Sequence, residues 1–157
     1  MSLYVDGACN KITGNYGWGS VVNDLGEDCI VPSEHPDLTI MEKKLPKGSR
    51  NVIIAQASDV QSQQNNFVEL LSMVVGLRIS LMRKDNAIET IYSDSKLIVN
   101  YWSLGHVNPK TWKNMDPQKQ KYITECDALR RKFENRGGQI LKISGNDNLA
   151  DLGYHKN

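Results

Sequence analysis

The stretch from Asn65 to Lys84, NNFVELLSMVVGLRISLMRK, limits the possible folds more than any other part of the chain. Phe67, Leu70, Leu71, Val74, Leu77 and Leu81 recur at three- and four-residue steps, a period that predicts a helix with one apolar stripe. Such a stripe must be covered by a sheet or by further helices. The flanking sequence offers the strands. LYVDGAC, YGWGSVVND, NVIIAQASD, AIETIYS and QILKIS are short runs rich in β-branched and aromatic residues, bounded by turn formers. EDCIV can return from the turn at Leu25-Gly26.

Three further helices are predicted. SKLIVNYWSL follows AIETIYS at once and reads as a short helix. Before YITECDALRRKFEN, Asp116 is a capping residue and Pro117 suits the first helical position; Gly137-Gly138 mark the end. Ile123, Cys126, Leu129 and Phe133 form its apolar face. NLADLGYHK is read as a short final helix. Residues 32–50 hold three prolines and many charges, and read as a loop. The expected order is β-β-β-α-β-α-α-β-α: an α/β protein whose five-stranded mixed sheet is flanked by helices, in one domain over residues 1–157.

Composition narrows the function classes. With 157 residues the chain can bury a core without disulfide staples. No apolar run has the length of a membrane span, so no membrane partner is expected. SLYVDG carries no basic-then-apolar leader, which predicts a cytoplasmic or otherwise intracellular protein. Cys9, Cys29 and Cys126 are odd in number and lack metal-type spacing, consistent with free thiols in a reducing compartment. The formal net charge is +1, but it is unevenly spread. Residues 110–136 hold eight Lys and Arg against four Asp and Glu, leaving eleven against fourteen from the totals of 19 and 18. A solvated helix face and a nucleic-acid contact both fit that polarity.

Four carboxylates stand at places where strands or helices begin or end. Asp6 closes the first strand with Gly7 behind it, an arrangement that also fits a turn. Glu69 lies one turn into the long helix between apolar Val68 and Leu70, where a solvent-facing helix carboxylate is the plain alternative. Asp94, in TIYSDS, follows a strand of buried type just where a helix begins; a ligand site and a helix cap fit equally. Asp151, in NLAD, could again be a cap. None is decisive alone.

Taken in order, the segments YVDGAC, NYGWGSVV, QNNFVELLSMVVGL, YSDSKLIVN and NLADLG resemble ribonuclease H of the type 1 family, and they are spread over nearly the whole chain. The resemblance implies a ribonuclease H-like fold and a metal-dependent endonuclease. Such an enzyme hydrolyses the RNA strand of RNA/DNA hybrids, leaving 5′-phosphate and 3′-hydroxyl ends. It assigns Asp6, Glu69, Asp94 and Asp151 as catalytic residues and as ligands of two Mg²⁺ ions, with Mn²⁺ as a substitute. Two unit charges about 4 Å apart repel by roughly 4 kcal/mol at an effective dielectric near 20, so four carboxylates need cations to stand together. The matching positions for the RNA strand are Gly7, Cys9, Asn65 and Asn66, with Asn100 nearby, while Gln64 falls at the pocket for a DNA phosphate, where it could donate a hydrogen bond but brings no charge. HVNPKTWKNMDPQKQK matches a basic protrusion, in which Trp112 and Lys113, with Lys110, Lys119 and Lys121, would hold the DNA strand. A monomer is expected.

The pattern also breaks. A histidine that many family members carry about ten residues before the last aspartate is replaced by Leu141, and SGNDN is too short for its loop. His155, four residues past Asp151, is the candidate substitute. The Arg and Thr expected before the paired asparagines are Ser62-Gln63-Gln64 here. Asp6-Gly7-Ala8 excludes the Asp-x-Glu pattern of a four-carboxylate exonuclease. The competing readings are a nuclease of the same fold acting on double-stranded RNA or branched DNA, and a hybrid-binding module without turnover.

Overall fold

Leu3 and Val5 of β1 (Ser2–Cys9) are fully buried while Tyr4 between them is only partly so, the alternation of a strand with one face on the core. The computed structural model describes residues 1–9, 17–23, 35–44, 50–55, 65–83, 85 and 87–151. Within them β1 is joined by β2 (Gly17–Asn23), β3 (Thr39–Lys44), β4 (Arg50–Ala55), β5 (Thr90–Ser93) and β6 (Gln139–Lys142). They form one six-stranded sheet in the order β3-β4-β2-β1-β5-β6. β1, β5 and β6 run parallel to one another; the β1–β2, β2–β4 and β3–β4 pairs are antiparallel. The mixed sheet expected from the sequence is therefore present with one strand more.

The added strand, β3, lies inside the stretch read as a loop. Pro36 and Pro46 flank it and do not interrupt it, so TIMEKK is free to pair with β4 from Thr39 opposite Ala55 to Lys44 opposite Arg50. It lies at one edge of the sheet. EDCIV lies outside the described residues.

Helix α1 (Asn65–Met82) is more deeply buried than a single stripe implies. Val68, Met73 and Val75 are as inaccessible as Phe67, Leu70, Leu71, Val74 and Leu77. The helix is covered on one side by β1 and β2 and on another by α4 (Pro117–Asn135), where Tyr122 meets Phe67 edge-to-face at 6.0 Å. Gly7 and Gly19 are direct partners across the β1–β2 pair and let α1 lie on bare backbone. A Cβ on Gly7 would come within 2.3 Å of the Glu69 nitrogen, and one on Gly19 within 3.0 Å of Ser72 Cβ.

The remaining helices are α2 (Lys96–Asn100), a 3-10 turn Trp102–Leu104, and α3 (Pro109–Lys113). The ends of α4 follow the sequence reading. Asp116 caps it by accepting the Gln118 N–H at 2.7 Å, and Pro117 occupies the first position. At its other end Gly137 takes φ 94°, and the Gly137 and Gly138 N–H groups bond to the Glu134 and Phe133 carbonyls. On the buried face of α4, Leu129 is only partly covered. Arg130 is buried, donating to the Val99 carbonyl and Ser103 Oγ and so tying α2 and the 3-10 turn to α4. Among the described residues no helix is long and apolar enough to cross a membrane.

Candidate active site

The glycine floor sets the site. Because α1 rests directly on Gly7, Glu69 stands beside the residue that precedes it, Asp6. β5 runs parallel to β1 with Ser93 opposite Val5, so the chain leaving β5 delivers Asp94 to the same end of the sheet. Asp6, Glu69 and Asp94 each bring a carboxylate oxygen to within 4.8 Å of the other two. Three residues separated by 63 and 25 positions thus meet at one point, Asp6 buried and the others half-buried.

Electrostatics follow from that crowding. The Asp6 carboxyl is pushed up to about 8, mainly by burial and then by Asp94, Asp151 and Glu69, with the Gly7 backbone N–H opposing. Glu69 is raised to about 7 by burial and by Asp94, against a lowering hydrogen bond from the Ser95 side chain. Ser95 also caps α2, its Oγ accepting the Ile98 N–H at 3.3 Å, while Ser93 Oγ accepts the Ser95 N–H at 3.1 Å. The loop that carries Asp94 is therefore fixed on both sides.

Asp151 is the fourth carboxylate. It lies outside the group of three, and its field still raises Asp6. A 3-10 turn, Gly145–Asp147, leads toward it past Asp94; a Cβ on Gly145 would be 3.4 Å from Asp94 Oδ2. Residues 148–151 form a turn where the sequence predicted the start of a helix, because Asn148 caps the turn with its own side chain. Residues beyond 151, His155 among them, lie outside the described part.

A donor set of hard oxygens, clustered, partly desolvated and reluctant to ionise alone, is of the kind that Mg²⁺ or Mn²⁺ takes. The residues present fit such ions.

No family model and no curated protein matches the chain. Solved structures do. LC9-RNase H1, a type 1 RNase H with the type 2 active-site motif, matches over 99% of this chain and 67% of its own, with TM-score 0.51 and 17% identity. RNase H1 from the halophilic archaeon Halobacterium salinarum NRC-1 matches over 95% and 89%, with TM-score 0.46 and 16% identity. The chain has the ribonuclease H-like fold.

On this ribonuclease H-like fold the other sequence-predicted positions fall in different settings. Gly7 is buried under α1, so the close approach it permits is that of a helix. Cys9 ends β1 and Asn65 begins α1; Asn66 and Asn100 are exposed. The basic segment is α3 with the start of α4, where Lys110, Lys113 and Lys121 are exposed. Trp112 is partly buried, packed against the core, and lines a groove with Val107, Pro109 and Ile123. Gln64 is outside the described residues. Ser95, one of the capping residues offered by SDS, does cap α2, whereas Asn148 was overlooked although it was legible as a turn former three residues before an aspartate.

Proposed function

We propose that the chain is a metal-dependent endonuclease that hydrolyses the RNA strand of RNA/DNA hybrids, leaving 5′-phosphate and 3′-hydroxyl ends. The observation that carries this reading is the convergence of Asp6, Glu69 and Asp94 on a ribonuclease H-like fold. These three, joined by Asp151, would hold two Mg²⁺ ions, for which Mn²⁺ can stand in. When bound, a pair of such ions activates a water and stabilises the departing oxygen.

The chain's own residues do the rest. Burial and then the Asp94 carboxylate raise the proton affinity of both Asp6 and Glu69, and Glu69 adds to the rise at Asp6, so both gain when a cation replaces the proton. The Ser95 hydroxyl orients Glu69. Gly7 fixes the height of α1 above β1 and hence the separation of Asp6 from Glu69. Asn66 and Asn100, exposed beside the carboxylates' elements, are suited to meet ribose hydroxyls without reading a base. Cys9 and Asn65 would join them on the RNA strand, and Gln64 would serve a DNA phosphate. Lys110, Lys113 and Lys121, all exposed, would hold phosphates of the DNA strand, with the partly buried Trp112 available to stack on a sugar.

The test is cleavage of a labelled hybrid with Mg²⁺ or Mn²⁺, beside RNA and DNA duplexes of the same sequence. Hybrid-selective cutting that disappears in Asp94→Asn is expected. Equal cutting of a duplex would assign another substrate, and binding without cutting would leave a hybrid-binding module.

A further inference from the structure

One buried side chain bonds both to the chain's first described segment and to the turn at the end of its last. Asn148 is 4% exposed. Its Nδ2 donates to the Val5 carbonyl at 2.9 Å, and its Oδ1 accepts the Ala150 N–H at 3.0 Å. The Asn148 carbonyl accepts the Asp151 N–H at 3.1 Å. Val5 immediately precedes Asp6, and Asp151 lies at the end of the turn that Asn148 closes. Ala150, fully buried, seats the same turn, while Leu149 between them is exposed.

We propose that Asn148 is a positioning residue: its amide ties the turn carrying Asp151 to β1 and thereby sets Asp151 against Asp6. This rests on the reading of the four carboxylates as one metal site. The geometry is economical in sequence terms. β1 carries Asp6 at a place fixed by its pairing with β2 and β5, whereas residues 148–151 belong to no strand or helix. An aspartate on such a segment needs a tether to a rigid element if its carboxylate is to be held in one place. The primary amide suits the task because it presents a donor and an acceptor in one plane, one for the strand and one for the turn. An aspartate could serve the turn but would offer no donor to Val5, and would add another negative charge beside the site.

The experiment is a double-mutant cycle read by Mn²⁺ binding to the free protein, using the loss of the free-ion electron paramagnetic resonance signal. Wild type, Asn148→Ala, Asp151→Asn and the double variant are compared, with Val75→Ala as a control that weakens packing away from the site. Asn148→Ala and Asp151→Asn are each expected to weaken Mn²⁺ binding about ten-fold. The double variant is expected to bind no more weakly than either single one, because the tether acts only through the residue it holds. Val75→Ala should bind Mn²⁺ as wild type does. Where Asn148→Ala fails to fold, Asn148→Thr keeps a hydroxyl acceptor for the turn while losing the reach to Val5, and is expected to give the same result. Losses that multiply in the double variant would overturn the proposal, as would wild-type binding in either single one. A wild-type protein that takes up Mn²⁺ yet cuts no hybrid would defeat the nuclease reading and leave this cycle free to decide the role of Asn148.

Discussion

Helix α1 carries two charged centres that follow opposite rules. Near its start, Glu69 joins Asp6 and Asp94, three like-charged groups gathered within 4.8 Å of one another. Two and a half turns later, Arg78 joins Asp37 and Glu125. It donates to Asp37 at 2.9 and 3.1 Å and to Glu125 at 2.6 and 2.8 Å, and the Tyr122 hydroxyl adds a bond to Asp37 at 2.8 Å. The consequences for proton affinity are opposite. Asp6 is driven up to about 8, chiefly by burial, with its neighbours adding. Asp37 is held down at about 2, because its bonds to Arg78 and Tyr122 outweigh the effect of burial. One centre holds α1, α4 and the segment before β3 together. The other opposes folding until something positive enters it. Helical position alone does not decide which a charged residue becomes; the sign of what the fold brings beside it does.

The largest effect expected from this contrast comes from neutralising the like-charged centre. Asp6→Asn should lower hybrid cleavage by on the order of a thousand-fold while raising the melting temperature of the metal-free protein. Removing one of several repelling charges is worth about 1–2 kcal/mol, or roughly 3–8 °C for a chain of this size. A variant that loses activity and stability together would break the comparison, since Asp6 would then be structurally favourable.

Next is the opposite centre. Arg78→Leu removes the cation and leaves two carboxylates and a tyrosine hydroxyl facing one another. The site is half-buried, so a loss of about 2 kcal/mol is expected, seen as a melting temperature lower by roughly 4–8 °C. The cleavage rate per folded molecule should stay within about two-fold of wild type, measured well below the transition. A large fall in rate at unchanged stability would mean that the two centres are coupled through α1.

How far these centres were readable in advance differs for a physical reason. Asp94 could be picked out because it stands where β5 gives way to α2, and SDS marks that boundary. Asp6 does not close its strand as expected, since β1 continues three residues past it to Cys9, and Glu69 lies one turn inside α1; Asp-Gly and the asparagines that begin α1 marked them all the same. The caps of α4 were legible on the same grounds. Arg78 and Asp37 leave no such mark: they are 41 residues apart, and only the packing of α1 on α4 makes them neighbours. β3 was hidden by its flanking prolines, whose effect stops at the strand ends. The burial of α1 on several sides was hidden because periodicity reports the strongest face and is silent on what α4 later covers. Asn148 fell between the two cases, a local turn signal whose partner, Val5, is 143 residues away.

The pH dependence of stability separates the centres more finely. Asp37 has a depressed value in the folded state, so its contribution is complete above the unfolded value near 3.8 and is lost as pH falls through about 2. Asp6 and Glu69 have raised values, so the metal-free protein carries their full benefit only below about pH 4. It loses that benefit as pH rises through about 7 and 8. Melting temperatures without metal are therefore expected to decline from pH 5 to pH 9, and Mg²⁺ should flatten the decline by stabilising the ionised forms. Asp6→Asn should flatten it without metal. A metal-free wild-type curve already flat over that range would contradict the crowding at the site.

The smallest effect tests how the favourable centre divides its work. Tyr122→Phe removes only the hydroxyl that donates to Asp37 and keeps the ring that packs edge-to-face on Phe67. Asp37 would retain both bonds from Arg78, so no charge is stranded. The expected loss is about 1 kcal/mol, the usual net value of one hydrogen bond. Because the hydroxyl is among the groups that hold Asp37 low, the acid limb of the stability curve should also move upward in pH, which a purely packing role for Tyr122 would not cause. A loss confined to neutral pH, with the acid limb unmoved, would place the control of Asp37 wholly on Arg78 and reduce that centre to a pair of ion bridges sharing one guanidinium.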